Sequence, residues 1–349
     1  NTVLGNYVGT NASGTAALVE VAEAFTELAD PPRRSILFVA WDAEEKGLLG
    51  SKHWVAHPTV PLGHVVALLN MDMVGRLRNN RLTLMGTRSG YAFRRLASHC
   101  NSGLELDFSW KLVGNADHWP FVERRIPSIT LHTGTHDVYH TPYDDADTLN
   151  PTGMQRVARF MFVLAYELAQ RAEPIRFRAA AIHESPKLKQ QIEKRSPRLV
   201  DRLGARWSDH DARGVRLVEV TPDSPADEAG LRRGDRVLQL AGRDIRQPDD
   251  LHAAIAAAEN PAEVRFERPG ESEPVEATLT LRGRPLRLGV TWRLDDAEPD
   301  TIILTHVVPG SPAMRAGLHV GDRVYEAAGK PLSDEAAFAE LVRSADDSL

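Results

Sequence analysis

A long internal repeat constrains this chain more than any other feature of its sequence. The segment SPADEAGLRRGDRVLQLAGRDI begins at Ser224 and SPAMRAGLHVGDRVYEAAGKPL begins at Ser311, so that SPA, AGL, GDRV and AG recur in register. An apolar strand pattern precedes each copy, and a short helical pattern follows it. A repeat of this length indicates a duplicated domain and not a short solenoid unit.

The stretch before the repeat alternates helix and strand patterns. Helical spacing of apolar residues predicts helices over residues 13–29, 91–100 and 154–172. Short apolar runs between turn residues predict strands over residues 35–41, 64–75, 81–86 and 126–134. Strands that alternate with helices indicate an α/β sandwich around a largely buried sheet.

A charged stretch that contains HESPKLKQQIEKRSPR separates the two halves and has the composition of a linker. We therefore predict a first domain over residues 1–172, a charged linker over 173–199, and two repeated domains over 200–283 and 284–349. Asn1 stands just before a dense motif, and the second copy ends where its last strand is due. We accordingly expect a longer protein, truncated here at both ends.

Bulk composition narrows the expected partners. The net charge is −6, which gives no reason to expect a nucleic-acid or acidic-membrane partner. No apolar run approaches the roughly 20 residues that span a bilayer. A single cysteine, Cys100, excludes an intrachain disulfide. That suits the cytosol without excluding a periplasmic or secreted protein.

The strongest chemical motif is WDAEEKGLLGS, residues 41–51, at the end of a predicted buried strand. Open α/β sheets place active sites at the carboxyl ends of their strands. Of two adjacent acids there, Glu44 and Glu45, one can bind a metal ion while the other acts as general base on a water molecule. A solvated pair of acids at a turn is the plainer alternative.

A second motif, NMDMVG, places Asp72 within an otherwise apolar strand. Burial of a charge there is unfavourable unless the carboxylate is paired or binds a metal ion. A capping acid at the strand end is the weaker alternative.

Histidines and further acids follow in two more segments. GTHDVYHTPYDDADTLN, residues 134–150, contains His136 and His140 in a polar loop, and histidine is the commonest zinc ligand in proteins. GNADHWPF, residues 114–121, contributes Asp117 and His118 just before a predicted strand, where they could support metal ligands.

Five motifs follow one another along the chain: NASG, AEEKGLLGS, NMDMVG, DHxxF and TGxHxxYHxPxDD. In this order they resemble the co-catalytic dizinc aminopeptidases, whose relatives include glutamate carboxypeptidase and glutaminyl cyclase. The resemblance covers residues 1 to about 172. It implies a mixed, mainly parallel sheet between helices, and two zinc ions that share a bridging aspartate. We expect one or two zinc ions in this chain.

The resemblance also implies roles for individual residues. Glu44 matches the general base, Glu45 a zinc ligand, Asp72 a ligand of the other zinc ion, and His140 the last ligand. Supporting or substrate-contacting positions correspond to Asp117, His136 and Tyr139.

Two departures from the family pattern bear on activity. The first family ligand is a histidine of an HxD segment, which would lie upstream of Asn1. The bridging aspartate corresponds to Thr10, and a hydroxyl brings no charge to hold two cations together. We therefore keep two hypotheses, an active metallopeptidase and an impaired peptidase fold that serves as a scaffold or binding protein.

The repeated half resembles PDZ domains of bacterial protease-associated proteins, through SPAxxAGLxxGDxV in both copies. Such small, partly open β-barrels bind an extended chain at a sheet edge. The Leu203–Gly204 and Leu288–Gly289 loops would offer backbone N–H groups to C-terminal peptide ligands. A pair of purely structural barrels that bind nothing is the alternative.

Together these patterns favour a metal-dependent exopeptidase of the aminopeptidase type, with carboxypeptidase action left open. The PDZ domains would recruit peptide or protein substrates or partners. The family resemblance favours a periplasmic or secreted location.

Overall fold

The computed structural model describes residues 12–112, 114–194, 199–208, 214–332 and 334–344, and the backbone of residues 2–7. Thr10 lies outside the described residues. The chain divides into two compact units. The first unit contains Asn1–Ile192 and Asp296–Pro299, and the second contains Glu193–Asp295 and Asp300–Leu349.

A six-stranded sheet forms the centre of the first unit. Its strands are β1 (Thr2–Tyr7), β2 (Ile36–Trp41), β3 (Ala67–Met71), β4 (Arg81–Met85), β5 (Glu105–Ser109) and β6 (Ser128–His132). They lie in the order β2-β1-β3-β6-β4-β5. Only the β4–β6 pair among these neighbours is antiparallel. The predicted mixed, mainly parallel α/β sheet is therefore confirmed.

Helices cover both faces of this sheet. The helices of this half are α1 (Ala12–Thr26), α2 (Leu49–Ala56), α3 (Phe93–His99), α4 (Trp119–Glu123), α5 (Pro151–Gln170) and α6 (Pro186–Lys194). Alternation along β3 separates two apolar cores, since Leu69 and Met71 join the cluster with α1, α3 and α5 while Leu68 joins the cluster with α2 and α4. The sandwich follows directly from this period of two.

Several predicted elements differ in their limits. β3 ends at Met71, so Asp72 follows the strand instead of lying inside it, although its N–H still donates to the Leu131 carbonyl at 3.0 Å. Asp117 and His118 precede the short helix α4, not a strand, because Pro120 stands in its first turn.

The first unit also continues past the predicted boundary at residue 172. Ile175 and Ala181 are buried, and Phe177 forms a β-bridge with Gly90. The predicted linker over 173–199 therefore begins with residues that pack onto the first unit.

The first copy of the repeat forms an antiparallel sheet with two helices. Its elements are β7 (Ala205–Trp207), β8 (Val215–Val220), α7 (Pro225–Glu228), β9 (Arg236–Leu240), β10 (Arg243–Asp244), α8 (Pro248–Ala257), β11 (Ala262–Glu267) and β12 (Val275–Leu279). The strand order is β12-β11-β9-β8-β7, and β10 pairs with β9. This small antiparallel sheet is consistent with the predicted partly open barrel.

The second copy repeats the start of this plan, with two strands of two residues, Arg323–Val324 and Glu326–Ala327, in place of the five-residue β9. Its elements are β13 (Val290–Arg293), β14 (Ile302–Val307), α9 (Pro312–Arg315), β15 (Arg323–Val324), β16 (Glu326–Ala327), β17 (Lys330–Pro331) and α10 (Glu335–Ser344). β13, β14 and β15 form one sheet, and β16 pairs with β17. Along the described part of the chain, no helix combines the length and apolar character of a membrane span.

One close contact explains why the Leu-Gly and Ser-Pro-Ala motifs recur together. A Cβ atom placed on Gly204 would lie 2.2 Å from the Ser224 Cβ, and one on Gly289 would lie 2.2 Å from the Ser311 Cβ. Both glycines have positive φ angles, 74° and 73°. Only glycine satisfies both the space and the backbone conformation at these loops.

The aspartates of the two GDRV motifs close the same turn with different partners. Asp235 is 1% exposed, accepts from Arg268 Nε and Nη2 at 3.0 and 2.8 Å, and accepts from the Arg232 N–H at 2.8 Å. Asp322 accepts from the His319 N–H at 2.8 Å. At the first of these turns, the pair with Arg268 provides the charged partner of an almost fully buried carboxylate.

We expect Asp235→Ala to lower the free energy of unfolding of the second unit by about 2–4 kcal/mol, because Arg268 loses a carboxylate that is almost fully buried. The matched Asp322→Ala variant should lose about 1 kcal/mol. Urea titration followed by hydrogen exchange of second-unit peptides measures both. Equal losses would contradict the importance of the charged pair.

Candidate active site

A tight turn after β2 holds the two adjacent glutamates. Glu44–Lys46 form a single 3-10 turn, bounded by Ala43 and Gly47, whose φ angles are 55° and 101°. A Cβ on Gly50 would lie 2.6 Å from the Asp42 carbonyl oxygen, so the chain closes tightly at the start of α2. The turn therefore sets Glu44 and Glu45 at the carboxyl end of the strand.

Glu45 meets His140 from the distant polar loop. His140 Nε2 lies 2.8 Å from Glu45 Oε1. Tyr139 stacks on the His140 ring with centroids 3.8 Å apart, and His140 has a φ of 58°. Two residues that the sequence analysis assigned to one zinc ion are thus brought into contact.

Three carboxyl groups near this contact have raised pKa values. Burial, followed by the neighbouring charges of Glu45, Asp72 and Asp117, raises the pKa of Glu44 to about 7. Burial and Glu45 raise the pKa of Asp72 to about 6, against an opposing effect of His140. Because the charges of neighbouring acids contribute to both shifts, these carboxyl groups lie close enough to interact electrostatically.

Asp117, which sequence analysis predicted to support the site, is the least exposed of these three acids. It is 2% exposed and accepts from the Ser51 hydroxyl at 2.6 Å. Burial raises the pKa of Asp117 to about 6, and the Ser51 hydrogen bond opposes that rise. Its neighbour His118 is bonded through Nδ1 to Thr130 Oγ1 at 3.0 Å, inside the fold.

The loop of residues 133–150 is attached at both ends to the segment that follows Asp72. The Thr133 N–H donates to the Met73 carbonyl at 3.1 Å, and the Asn150 N–H donates to the Gly75 carbonyl at 2.8 Å. Asn150 also caps α5. These bonds fix the loop that carries His140 relative to Asp72.

Arg76 binds the middle of this loop. Its guanidinium donates to the Asp144 carboxylate and to the Thr148 hydroxyl. His136 Nε2 lies 3.5 Å from the other oxygen of Asp144. His136, predicted to support the site, therefore joins a chain of contacts that runs through Asp144 to Arg76.

Sequence analysis did not single out Arg76 or His132. His132 ends β6, accepts from the Gly134 N–H at 2.8 Å through Nδ1, and has a pKa lowered by burial. The position of His132 at the end of a predicted strand was a usable signal. Arg76 gave none, because its partners lie far away in sequence.

The donor set fits zinc only in part. Two ligands of one zinc ion lie roughly 3 Å apart, given Zn–N and Zn–O distances of about 2.0–2.2 Å. Glu45 and His140 meet that spacing. Within the described residues, however, no group of three His, Cys, Asp or Glu side chains is arranged to hold a metal ion. Asp72 does not complete a three-ligand site with Glu45 and His140.

The loops of the second unit were predicted to offer amides to a terminal carboxylate. In the first copy, the Leu203 and Gly204 N–H groups donate to Asp201 Oδ1 at 3.2 and 2.7 Å. In the second copy, the Gly289 N–H donates to the Leu286 carbonyl at 2.8 Å, and Leu288 is buried. Three of these amides therefore have partners inside the chain.

Family comparisons agree with the division into two halves. Residues 9–165 match peptidase family M28, and residues 216–267 and 303–349 match the PDZ domain.

Curated relatives fall into the same two groups. Aminopeptidase YwaD of Bacillus subtilis is 30% identical over 172 residues, which cover 46% of this chain and 37% of that protein. The probable glutamate carboxypeptidase AMP1 of Arabidopsis thaliana is 31% identical, over 39% of this chain and 22% of that protein. A probable periplasmic serine endoprotease, DegP-like, of a Marinomonas species is 26% identical, over 37% and 32%. The chain spans about a third or less of these relatives.

Solved structures with similarity to the chain include the LapA aminopeptidase of Legionella pneumophila, at 25% identity and a TM-score of 0.45, covering 49% of this chain and 52% of that one. The BSAP zinc aminopeptidase of Bacillus subtilis is also 25% identical, with a TM-score of 0.43 and coverage of 51% and 49%.

We expect Arg76→Ala to loosen the loop that carries His140, because Asp144 and Thr148 lose their shared donor. Hydrogen exchange at the Thr141 and Asp144 amides should accelerate by about tenfold, the equivalent of one hydrogen bond to a charged group. Arg78→Ala, an exposed arginine on the same segment, is the control and should leave these rates unchanged. Identical exchange in both variants would refute the role of Arg76.

Proposed function

We propose that this chain is a zinc-dependent aminopeptidase that recruits polypeptides through its PDZ domains. Its first unit belongs to peptidase family M28, and its second unit carries the PDZ domains. The observation that carries the proposal is the 2.8 Å contact between His140 and Glu45 beside Glu44, whose pKa is raised to about 7. A carboxyl group with such a pKa is suited to exchange a proton near neutral pH.

Glu45 and His140 would hold one zinc ion, and Asp72 would serve a second metal position. When bound, zinc lowers the pKa of a water molecule and polarises a carbonyl group. Tyr139 stacks on His140 and orients its ring. Asp117, which accepts a hydrogen bond from Ser51, and His136, which contacts Asp144, would support these residues.

Glu44 is the proposed general base. It accepts a proton from the attacking water while the water oxygen bonds to the peptide carbonyl carbon. The C–N bond then breaks, and Glu44 returns the proton to the leaving amine nitrogen. Water and one peptide bond are consumed, and a carboxylic acid and an amine are formed, which become a carboxylate and an ammonium group when the acid proton passes to the amine.

Release of N-terminal residues is favoured over carboxypeptidase action because aminopeptidase YwaD covers more of this chain than does AMP1, 46% against 39%. Hydrolysis of aminoacyl anilides, compared with that of N-acylated peptides with free carboxyl ends, separates the two reactions.

A second candidate function is an impaired peptidase fold that acts as a PDZ scaffold. It is favoured by Thr10 at the bridging position and by the lack of three converging ligands within the residues that the structure describes. Absence of both bound zinc and turnover in the full-length protein would support the scaffold over the enzyme.

For the domain limits, we propose a peptidase domain that ends near residue 192, followed by PDZ domains over 200–283 and 284–349. We also propose a periplasmic or secreted location, since one of the relatives is named as periplasmic.

We expect Glu44→Gln to reduce hydrolysis of aminoacyl anilides by about 10²–10⁴-fold, because the variant cannot accept the proton of water. Zinc content should stay the same, because Glu44 is not an assigned ligand. The exposed Glu27→Gln variant provides the control. Retention of more than a tenth of the activity would exclude Glu44 as the base.

We expect Thr10→Asp to raise the zinc content and the turnover of the full-length protein. The aspartate would supply a charged carboxylate with one oxygen for each of two metal ions, which the threonine hydroxyl does not. Metal analysis and anilide hydrolysis measure the two effects. Thr10→Asn supplies a similar shape without the charge and should change neither. Unchanged zinc content and activity in Thr10→Asp would rule out Thr10 as the bridging position.

A further inference from the structure

The loop before β7 in the first copy contains a carboxylate of its own. Asp201 Oδ1 accepts from the Gly204 N–H at 2.7 Å and from the Leu203 N–H at 3.2 Å. Leu203 and Gly204 are buried, whereas Asp201 is exposed to solvent. The acid thus occupies the two amides that the sequence analysis expected to meet a ligand carboxylate.

The neighbouring cation does not compensate for this charge. Arg202 is 5% exposed, and its Nη2 donates to the Ala258 carbonyl at 2.9 Å. Nη1 donates to the Ala256 carbonyl at 2.9 Å, and Nε donates to the Arg282 carbonyl at 2.9 Å. The guanidinium therefore caps the C-terminal end of α8, where a cation is favoured, and these carbonyls take up its donors.

The edge beside this loop has the form of a strand-binding site. β7 ends the sheet order of the first copy among the described residues, and a sheet edge can add an extended chain through backbone hydrogen bonds. Trp207 on β7 and His252 on α8 face each other with ring centroids 4.9 Å apart. This ring pair brings the edge strand β7 next to α8.

We propose that the first PDZ domain binds an internal, extended polypeptide segment and rejects a free C-terminal carboxylate, because Asp201 fills the loop amides and repels a second anion. A tethered carboxylate competes at an effective concentration far above that of a peptide in solution. An internal segment brings no charge to this position and needs only the strand edge. This inference rests on the peptide-binding role proposed for the second unit and not on hydrolysis.

The second copy supplies the matched control. The sequence DRLG of the first copy, which begins at Asp201, corresponds to LRLG in the second, which begins at Leu286. The Gly289 N–H accordingly donates to the Leu286 backbone carbonyl, not to a side chain. Asp201→Leu therefore installs a residue that the same fold already carries at this position.

Two pools of the same short random-sequence peptides test the inference, one pool with free C-terminal carboxylates and the other with C-terminal carboxamides. All peptides are N-acetylated, so that aminopeptidase action cannot remove residues. Each pool is passed over the immobilised full-length chain, and mass spectrometry counts the retained peptides. The wild type should retain carboxamides at least as well as carboxylates, whereas Asp201→Leu should shift the ratio toward carboxylates by about tenfold.

A wild-type preference for carboxylates that Asp201→Leu leaves unchanged would overturn the inference while the peptide-binding role survives. Retention of neither pool would overturn that role as well. Comparison of the two chains cancels the contributions of the second copy and of the peptidase site.

Amide exchange tests the loop itself, independently of any ligand. Exchange at Leu203 should accelerate in Asp201→Leu and remain slow in Asp201→Asn, which keeps an acceptor without the charge. Gly204 is not diagnostic, because in Asp201→Leu its N–H can donate to the carbonyl of residue 201 as Gly289 donates to Leu286. Leu288 and Gly289 should not change in either variant. Equal protection of Leu203 in all three chains would show that Asp201 does not occupy its amide.

Discussion

Burial of acidic side chains beside one another is the electrostatic constraint on which the candidate site of the first unit depends. Glu44, Asp72 and Asp117 are all withdrawn from water close to other acids, and each has a raised pKa for that reason. Such a cluster opposes folding unless protons or a cation reduce its charge. The two apolar cores on either face of the sheet provide the stability that keeps the acids together. Protonation, or a cation where one is bound, would therefore relieve the electrostatic cost of this part of the first unit.

The acids come together because distant segments are joined by short backbone contacts. A Cβ on Gly75 would lie 2.8 Å from the Ser13 Cβ and 2.6 Å from Leu149 Cδ2, so the segment after Asp72 touches both α1 and the end of the polar loop. Asn150 then starts α5 from the same place. The glycine of one motif thus allows the close approach of two others.

Sequence patterns predicted what depends on local chemistry and missed what depends on distant partners. The mixed sheet and the duplicated domains followed from periodicity and motif resemblance, and both are confirmed. Asp72 was predicted inside a strand because its flanks are apolar, but regular pairing stops at Met71. The contact of Arg76 with Asp144 could not be predicted, since the motifs around the two residues give no sign that they pair with each other. The difference between Asp201 and Leu286 was visible in the sequence as soon as the two copies were aligned.

Comparison of the two copies distinguishes contacts that both PDZ domains share from a residue, Asp201, that differs at the proposed ligand position. Both copies keep the glycine–serine contact of the loop, and both use the arginine before Leu-Gly near a helix end, Arg202 at α8 and Arg287 at the Arg343 carbonyl of α10. The acid of the first copy contributes to neither contact, so its replacement in the second leaves the fold intact. Two domains of one architecture can then differ in the ligand charge that they accept. A polypeptide that bound both domains at once would bind more tightly than to either alone, because the two domains are joined in one chain.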